Sequence, residues 1–239
     1  MISKTLMKQT IKSNLPLFLI LTVLQGIMVA MVSGSGLAVE TTGRAYYNML
    51  PGVVSAIYVI ITSNKLLAAQ VDKGTMAYVL STPAKRSKVA VTQAVFLLGS
   101  LLIMFSVSAG AHILGKYISV GSIIASDVQT ILLLNLGLFV LNAALSGICF
   151  LASSVFNLSK YVVAVGGGIV GVFQLLSIMS MFGESFNWMK NLTLVSLYDI
   201  TSIFAHSSVF IWKFIVLAGI GVITYIVGTT AFAKRDLPL

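Results

Sequence analysis

The residues that could take part in catalysis are few in this chain and lie far apart in the sequence. His112 and His206 have no Cys, Asp or Glu at the spacing that a metal site requires, and Cys149 is the only cysteine. No serine or cysteine stands in a nucleophile motif, and no phosphate-binding loop of the form GxxxxGK followed by Ser or Thr is present. The sequence therefore favours a protein with no catalytic residue, no metal site and no cofactor of its own.

The polar residues inside the apolar stretches are the next candidates for a functional site. None of the six acidic residues lies at the centre of such a stretch, where ion-coupled carriers usually keep a carboxylate for the coupling ion. The polar residues found there are uncharged, namely Gln25, Asn135, Asn142 and Gln174. They can line a substrate path or join neighbouring helices by hydrogen bonds, and we favour the helix contacts.

The elements that must position these residues follow from the composition. The 239 residues are 58% hydrophobic and only 9% charged, and their mean hydropathy is +1.02. Six apolar runs are long enough to cross a bilayer, and apolar and polar residues do not alternate with a period of two. The predicted spans cover about residues 15–32, 49–67, 89–115, 128–156, 161–182 and 209–233. The sequence therefore predicts an all-α membrane protein whose six transmembrane helices form one domain over residues 1–239.

The distribution of charge predicts how the chain is oriented. With the N-terminus in the cytoplasm, six spans give the inner side a net charge of +9 and the outer side a net charge of zero. Cytoplasmic loops are enriched in Lys and Arg, so this asymmetry predicts that both termini are cytoplasmic. It also makes an anionic bilayer surface, and not nucleic acid, the natural partner of the basic residues.

The first 14 residues have an amphipathic pattern. Lys4, Lys8 and Lys12 fall in a narrow arc of a helical wheel, and apolar side chains occupy the other half. This pattern predicts a helix that lies on the cytoplasmic leaflet before the chain enters the membrane near Pro16.

The longest charged segment, VDKGTMAYVLSTPAKRSK at residues 71–88, lies in the predicted cytoplasmic loop 68–88. Asp72 can cap a short helix, and Met76, Val79 and Leu80 would give that helix a narrow apolar face. The helix has no neighbour of its own to pack against. It can lie on the lipid surface or insert into a groove of a cytoplasmic partner, and the pattern leaves both open.

Three further features complete the predicted organisation. The inner connection NLSK, residues 157–160, is too short for a domain but can add a second contact point for a partner. Gly167 and Gly171 have the spacing that lets two helices approach closely, within the bundle or across a dimer. The outer loop 183–208 can form an interfacial helix or an exposed connection.

Three stretches of the sequence resemble the membrane subunits of ABC-2-type exporters, which are six-helix permeases that pair with a separate ATPase. Residues 71–89 are similar to the family's segment between spans two and three, with an acidic residue before Gly-Thr and a Ser-x-Pro end. NLTLVSLYDITSIF (191–204) resembles the outer connection into span six, and AFAKRDLPL (231–239) resembles the family's C-terminal ending. Asp72 stands one residue nearer the glycine than the acidic residue of the family pattern.

The resemblance implies that the loop after span two carries a coupling helix that docks in a groove of the ATPase. The implied docking residues are Asp72, Lys73, Gly74, Thr75, Met76, Tyr78, Val79, Leu80 and Arg86, with Asn157, Ser159 and Lys160 as a second contact point. The N-terminal segment would be the family's connecting helix. Two ATPase copies, which bind ATP and Mg, would move the coupling helices of two permease chains that enclose a path.

These expectations describe a permease subunit of a bacterial-type plasma membrane, paired with a second copy or a similar chain. A path walled by apolar side chains suits an amphipathic or hydrophobic cargo such as an antimicrobial peptide, a lipid or a drug. Two other classes stay open, an ion-coupled carrier and a membrane scaffold or sensor that transports nothing.

Overall fold

The computed structural model describes residues 2–76 and 85–235, which form helices and the connections between them, without a strand. Six helical segments in this part of the chain are long and apolar enough to cross a membrane. They are span 1 (Lys4–Ser33), span 2 (Val39–Leu66), span 3 (Arg86–Val120), span 4 (Ala125–Val155), span 5 (Ser159–Met179) and span 6 (Val209–Lys234). The prediction of an all-helical, multi-pass membrane protein with six spans is therefore confirmed.

Span 1 differs from the prediction because it includes the N-terminal segment. Lys4–Ser33 is one helix that continues through Pro16, so residues 4–14 do not form a separate helix. Leu6, Thr10 and Asn14 follow one another at every fourth residue and are buried. The Thr10 hydroxyl donates to Gln93 Oε1 of span 3 over 3.1 Å. This side-by-side contact with span 3 holds the segment in line with the rest of the helix.

Span 2 is interrupted near its beginning. It consists of the helices Val39–Tyr47 and Leu50–Leu66, with Asn48 and Met49 between them and Pro51 in the first turn of the second helix. Proline is favoured there because the first helical N–H groups need no partner within the helix. The sequence-based span began at residue 49 because the first helix, VETTGRAYY, has little apolar character.

Shorter elements connect the spans. Ala68–Asp72 forms a helix directly after span 2, and span 5 contains a π-helical turn over Val163–Gly167 between Ser159–Val162 and Gly168–Met179. The connection before span 6 contains two 3₁₀ turns, Glu184–Phe186 and Leu194–Leu197, and the helices Asn187–Lys190 and Ile200–Phe204. The predicted outer loop 183–208 is therefore a series of short turns and helices.

Span 4 lies at the centre of the bundle and packs most closely against span 6. A Cβ atom on Gly147 would collide with the side chain of Thr224, and one on Gly221 would lie 3.5 Å from the backbone of Ala143. Small residues on both helices let the two backbones approach, which replaces the hydrophobic driving force that is missing in lipid. Fewer than a third of the residues in the apolar parts of spans 1, 5 and 6 are buried.

The two ends of the bundle differ in charge. We call the end that holds the N-terminus, Lys73, Lys160 and Arg235 the basic end, and the opposite end the neutral end. At the neutral end, Lys213 Nζ lies 2.6 Å from the Asp199 carboxylate, and the Tyr198 hydroxyl donates to the carbonyl of Leu134 over 3.1 Å. These two contacts attach the connection before span 6 to the end of the bundle.

Candidate functional site

Residues 68–76, which follow span 2, form a short projection that is anchored at the basic end. Leu67 has φ −129° and ψ −67°, which ends the helix of span 2, and the backbone N–H of Ala68 donates to Ser153 Oγ of span 4 over 3.0 Å. Val71 and Met76 are buried on either side of a turn in which Gly74 has φ +70°. Glycine adopts this left-handed conformation without the steric cost that a Cβ atom would bring.

The exposed part of this projection is small and well defined. Asp72, Lys73, Gly74 and Thr75 are exposed, whereas Met76 is fully buried in the hydrophobic core. Met76 therefore anchors the segment to its own chain, and its side chain does not face outward as the predicted docking face required. Tyr78, Val79 and Leu80, the other apolar residues of that face, lie outside the described residues.

The two basic-end connections are joined by a hydrogen bond. The backbone N–H of Ser159, at the start of span 5, donates to Asp72 Oδ2 over 3.2 Å. Lys160 is exposed beside this contact and stands 5.1 Å from the centre of the Tyr161 ring, while Asn157 is half-buried. The structure thus brings together residues 71–76 and 157–160, which the sequence analysis placed on the same side of the membrane as two contact points for a partner.

Two arginines join three spans at the basic end. Arg235 Nη1 donates to the carbonyls of Ser154 and Phe156 at the end of span 4, over 2.8 and 3.2 Å. Arg86 Nη1 of span 3 donates to the Arg235 carbonyl over 2.6 Å. Arg86 was predicted to face a partner but its guanidinium bonds within the chain. Arg235 was not predicted, although the unbonded carbonyls at a helix end commonly attract such a cation.

The exposed surface around the projection is strongly cationic. Asp72 is the one acidic residue at the basic end among residues 2–76 and 85–235. The exposed lysines of this end include Lys12, Lys65, Lys73, Lys85, Lys160 and Lys234. This surface can attract an acidic protein or anionic lipid headgroups.

A second polar cluster lies inside the bundle toward the neutral end. Asn135 Nδ2 donates to the Tyr47 hydroxyl over 2.7 Å, and that hydroxyl lies 2.9 Å from His112 Nδ1. The Tyr46 hydroxyl donates to the carbonyl of Gln25 over 3.2 Å, while the Gln25 amide has no hydrogen-bond partner in the described part of the chain. Tyr47 was not predicted as a member of such a cluster because span 2 appeared to begin after it, and His112 was considered only as a metal ligand.

The other polar residues inside the spans differ in what they contact. Gln174 Nε2 donates to the carbonyl of Gly52 over 3.3 Å and so joins span 5 to span 2. Ser146 Oγ lies 2.8 Å from the Tyr225 hydroxyl and joins span 4 to span 6. Asn142 Nδ2 donates to the Leu138 carbonyl of its own helix, over 2.9 Å. Asn142 is therefore buried in span 4 and, among the described residues, does not bond to another helix.

The two predicted packing glycines have different surroundings. A Cβ atom on Gly167 would lie 2.9 Å from Ile60 Cγ2, so this glycine permits close contact between spans 5 and 2. A Cβ atom on Gly171 would meet nothing within 4 Å. Of these two glycines, Gly167 alone makes a tight contact with the part of the chain that the structure describes.

These features define a multi-pass α-helical membrane protein with an anchored, cationic projection at one end and a buried polar cluster toward the other. Comparison with models of protein families matched none of them to this chain, and a search of curated proteins likewise found no match.

Proposed function

We propose that this chain is the permease subunit of an ATP-driven exporter of the ABC-2 type, with its basic end in the cytoplasm. The observation that carries the proposal is the hydrogen bond from the Ser159 N–H to Asp72, which links an exposed projection to the beginning of span 5. The net charge of the two ends supports the orientation, since positive charge favours the cytoplasmic side.

The proposed mechanism uses the projection as a lever. An ATPase subunit that grips the exposed Lys73, Gly74 and Thr75 moves the short helix Ala68–Asp72, which follows span 2 directly. The Asp72–Ser159 bond carries the same displacement to span 5. Gln174 of span 5 donates a hydrogen bond to the Gly52 carbonyl of span 2, so spans 2 and 5 move as a pair.

The chain contributes no catalytic group to this cycle. Two copies of the partner ATPase bind ATP and Mg and hydrolyse ATP. The permease works as a dimer with a second copy of this chain or with a similar chain. The cargo is an amphipathic or hydrophobic molecule, with an antimicrobial peptide as the leading candidate. The membrane is a bacterial-type plasma membrane.

The test combines the chain with ATPase subunits encoded by neighbouring genes. The double variant Lys73→Glu, Thr75→Asp changes only exposed side chains, so we expect it to fold normally and to lose co-purification of the ATPase and export together. Lys190→Glu at the neutral end is the matched control, and we expect it to retain both co-purification of the ATPase and export. Unchanged co-purification by the double variant contradicts the proposal.

The same preparation distinguishes an exporter from an ion-coupled carrier and from a membrane scaffold or sensor. Transport by an ion-coupled carrier collapses with the membrane potential and persists without ATP. A scaffold or sensor shows no transport in either condition, and deletion of its gene changes neither resistance nor leakage.

A further inference from the structure

One face of span 1 carries lysines near the basic end and apolar side chains beyond them. Lys4, Lys8 and Lys12 are exposed, and so are Leu15 and Leu19, which expose 42% and 48% of their surface. With about 100° of rotation per residue, these five side chains fall within an arc of about 80°. The same face of the helix therefore changes from cationic to apolar along its length.

Contacts with span 3 keep this part of the helix upright. The backbone N–H of Ser3 donates to Thr92 Oγ1 over 3.0 Å, and the Thr10 hydroxyl donates to Gln93 Oε1 over 3.1 Å. A helix that lay flat on the leaflet would break both hydrogen bonds. The lysines are therefore stacked along the axis of span 1, one turn apart, and are not spread over the membrane surface.

The exposed apolar residues of span 1 indicate the depth of the lysines in the bilayer. Exposed apolar side chains recur at every fourth residue from Ile11 to Met31. This stretch corresponds to about 30 Å of helix, which matches the thickness of the hydrocarbon core. Lys12 then lies at the edge of the hydrocarbon, and Lys8 lies about 6 Å further out, among the headgroups. Because Cα–Cβ bonds tilt toward the helix N-terminus, both lysine side chains extend toward the headgroups.

The positive charge of this face is not neutralised within residues 2–76 and 85–235. The two ion pairs found there, Arg44–Glu40 and Lys213–Asp199, both lie at the neutral end. The first turn of span 1 contains no acidic residue, so the positive end of the helix dipole adds to the charge of the lysines. An anionic group that approaches this face is therefore attracted by the lysines and by the helix end together.

We propose that this face of span 1 binds an anionic phospholipid of the leaflet at the basic end, with the headgroup phosphate against Lys8 and Lys12 and an acyl chain along Leu15 and Leu19. A water-soluble acidic protein reaches the lysines but not the two leucines, whereas a phospholipid matches both. The site does not rest on the proposed ATPase, and its test contains no ATPase, so the two proposals fail separately.

The test places the purified full-length protein in phosphatidylcholine vesicles that contain a small amount of one of two photoreactive lipids. Both lipids carry a diazirine in the same acyl chain, close to its ester. One is a phosphatidylglycerol, which is anionic, and the other is a phosphatidylcholine, which has no net charge. We expect the phosphatidylglycerol to label the peptides of span 1 about fivefold more than the phosphatidylcholine, which is the advantage of one lysine near an anionic headgroup.

Two double variants locate the site. Lys8→Gln combined with Lys12→Gln is expected to lower labelling of span 1 by the phosphatidylglycerol to the level of the phosphatidylcholine. Lys73→Gln combined with Lys160→Gln is the matched control, because it removes the same charge from the same end of the bundle but from other elements. We expect this control to keep the preference for the anionic lipid. All four side chains are exposed, so we expect both double variants to fold.

Three outcomes would overturn the inference. Equal labelling of span 1 in the wild type by the two lipids would mean that this face does not select an anionic headgroup. Equal loss of the preference in both double variants would mean that the total charge of the basic end attracts the lipid, and not this face of span 1. A preference for the anionic lipid that is found only on peptides of other spans would place the site elsewhere.

Discussion

The carboxylate of Asp72 accepts a hydrogen bond from the backbone N–H of Ser159 across 87 residues of sequence. This contact joins the connection between spans 2 and 3 to the connection between spans 4 and 5. Both connections belong to the basic end, whose exposed lysines make it cationic. In the proposed mechanism, this contact passes a displacement of the exposed projection to two spans at once.

The Asp72 contact predicts a specific change in hydrogen exchange. Asp72→Leu removes the acceptor, so we expect faster amide exchange at Ser159 and at the residues that follow it. Asp72→Asn keeps an acceptor oxygen and should retain most of the protection. Because the bond is exposed, its loss should lower the free energy of unfolding by less than about 1 kcal/mol. Exchange at Ser159 that is identical in both variants and the wild type would show that the bond is absent.

Met76 is predicted to be a structural residue. Its side chain is fully buried, so Met76→Asp places a charge in the core and should lower the free energy of unfolding by about 3 kcal/mol or more. Thr75→Asp, one residue earlier and exposed, should change it by about 0.5 kcal/mol or less. Thermal unfolding in detergent compares the two variants. A Met76→Asp protein as stable as Thr75→Asp would mean that Met76 faces outward.

The close contact between spans 4 and 6 predicts a strong dependence on glycine at particular positions. Gly147→Leu would force its side chain into Thr224 and should cost about 2 kcal/mol or more through overpacking. Gly219→Leu is the matched control, since a Cβ atom at Gly219 would meet nothing within 4 Å. The fraction of monodisperse protein and its unfolding temperature measure the effect. Equal tolerance of both substitutions would contradict the described packing.

The ion pair at the neutral end predicts a dependence on acidic pH. Burial by itself would raise the pKa of Asp199, but hydrogen bonds from Lys213 and Ser202 together outweigh it and lower that pKa to about 2. A carboxylate with a lowered folded-state pKa stabilises the fold above its ordinary pKa and loses that contribution as pH falls toward the folded value. The wild type should therefore lose about 1 kcal/mol between about pH 5 and pH 2.

Asp199→Asn is the control for that titration. It should be less stable than the wild type at neutral pH and should show a smaller loss on acidification, when unfolding is followed by temperature scans at each pH. Parallel curves for the two proteins would mean that the Asp199–Lys213 pair contributes nothing.

The sequence predicted the number of spans because hydropathy alone determines which segments can enter a bilayer. It did not predict that residues 4–14 continue span 1, since that depends on contacts of Thr10 with Gln93 in span 3. The first helix of span 2 was missed because its polar residues resemble a loop, and Tyr47 was missed with it. Such residues become buried only when the helices assemble.

The candidate site, like the fold, was predicted only in part from the sequence. The sequence placed Asp72 and Ser159 at the same membrane face but could not show that they bond to each other. It assigned Met76 to an outward face because the pattern of one short helix cannot distinguish a partner from the chain's own core. Arg86 was assigned to a partner for its charge, whereas its actual acceptor, the Arg235 carbonyl, is 149 residues away.

The central claim is that the projection at Lys73–Thr75 is held by an ATPase on the cytoplasmic side. The most direct measurement replaces Thr75 with a photoreactive amino acid in cells that contain the neighbouring ATPase gene, with Lys190 replaced in the same way as the control. The account predicts that position 75 crosslinks to the ATPase and that position 190 does not. A functional complex in which position 75 gives no such crosslink, or is reached from outside the cell, would contradict it.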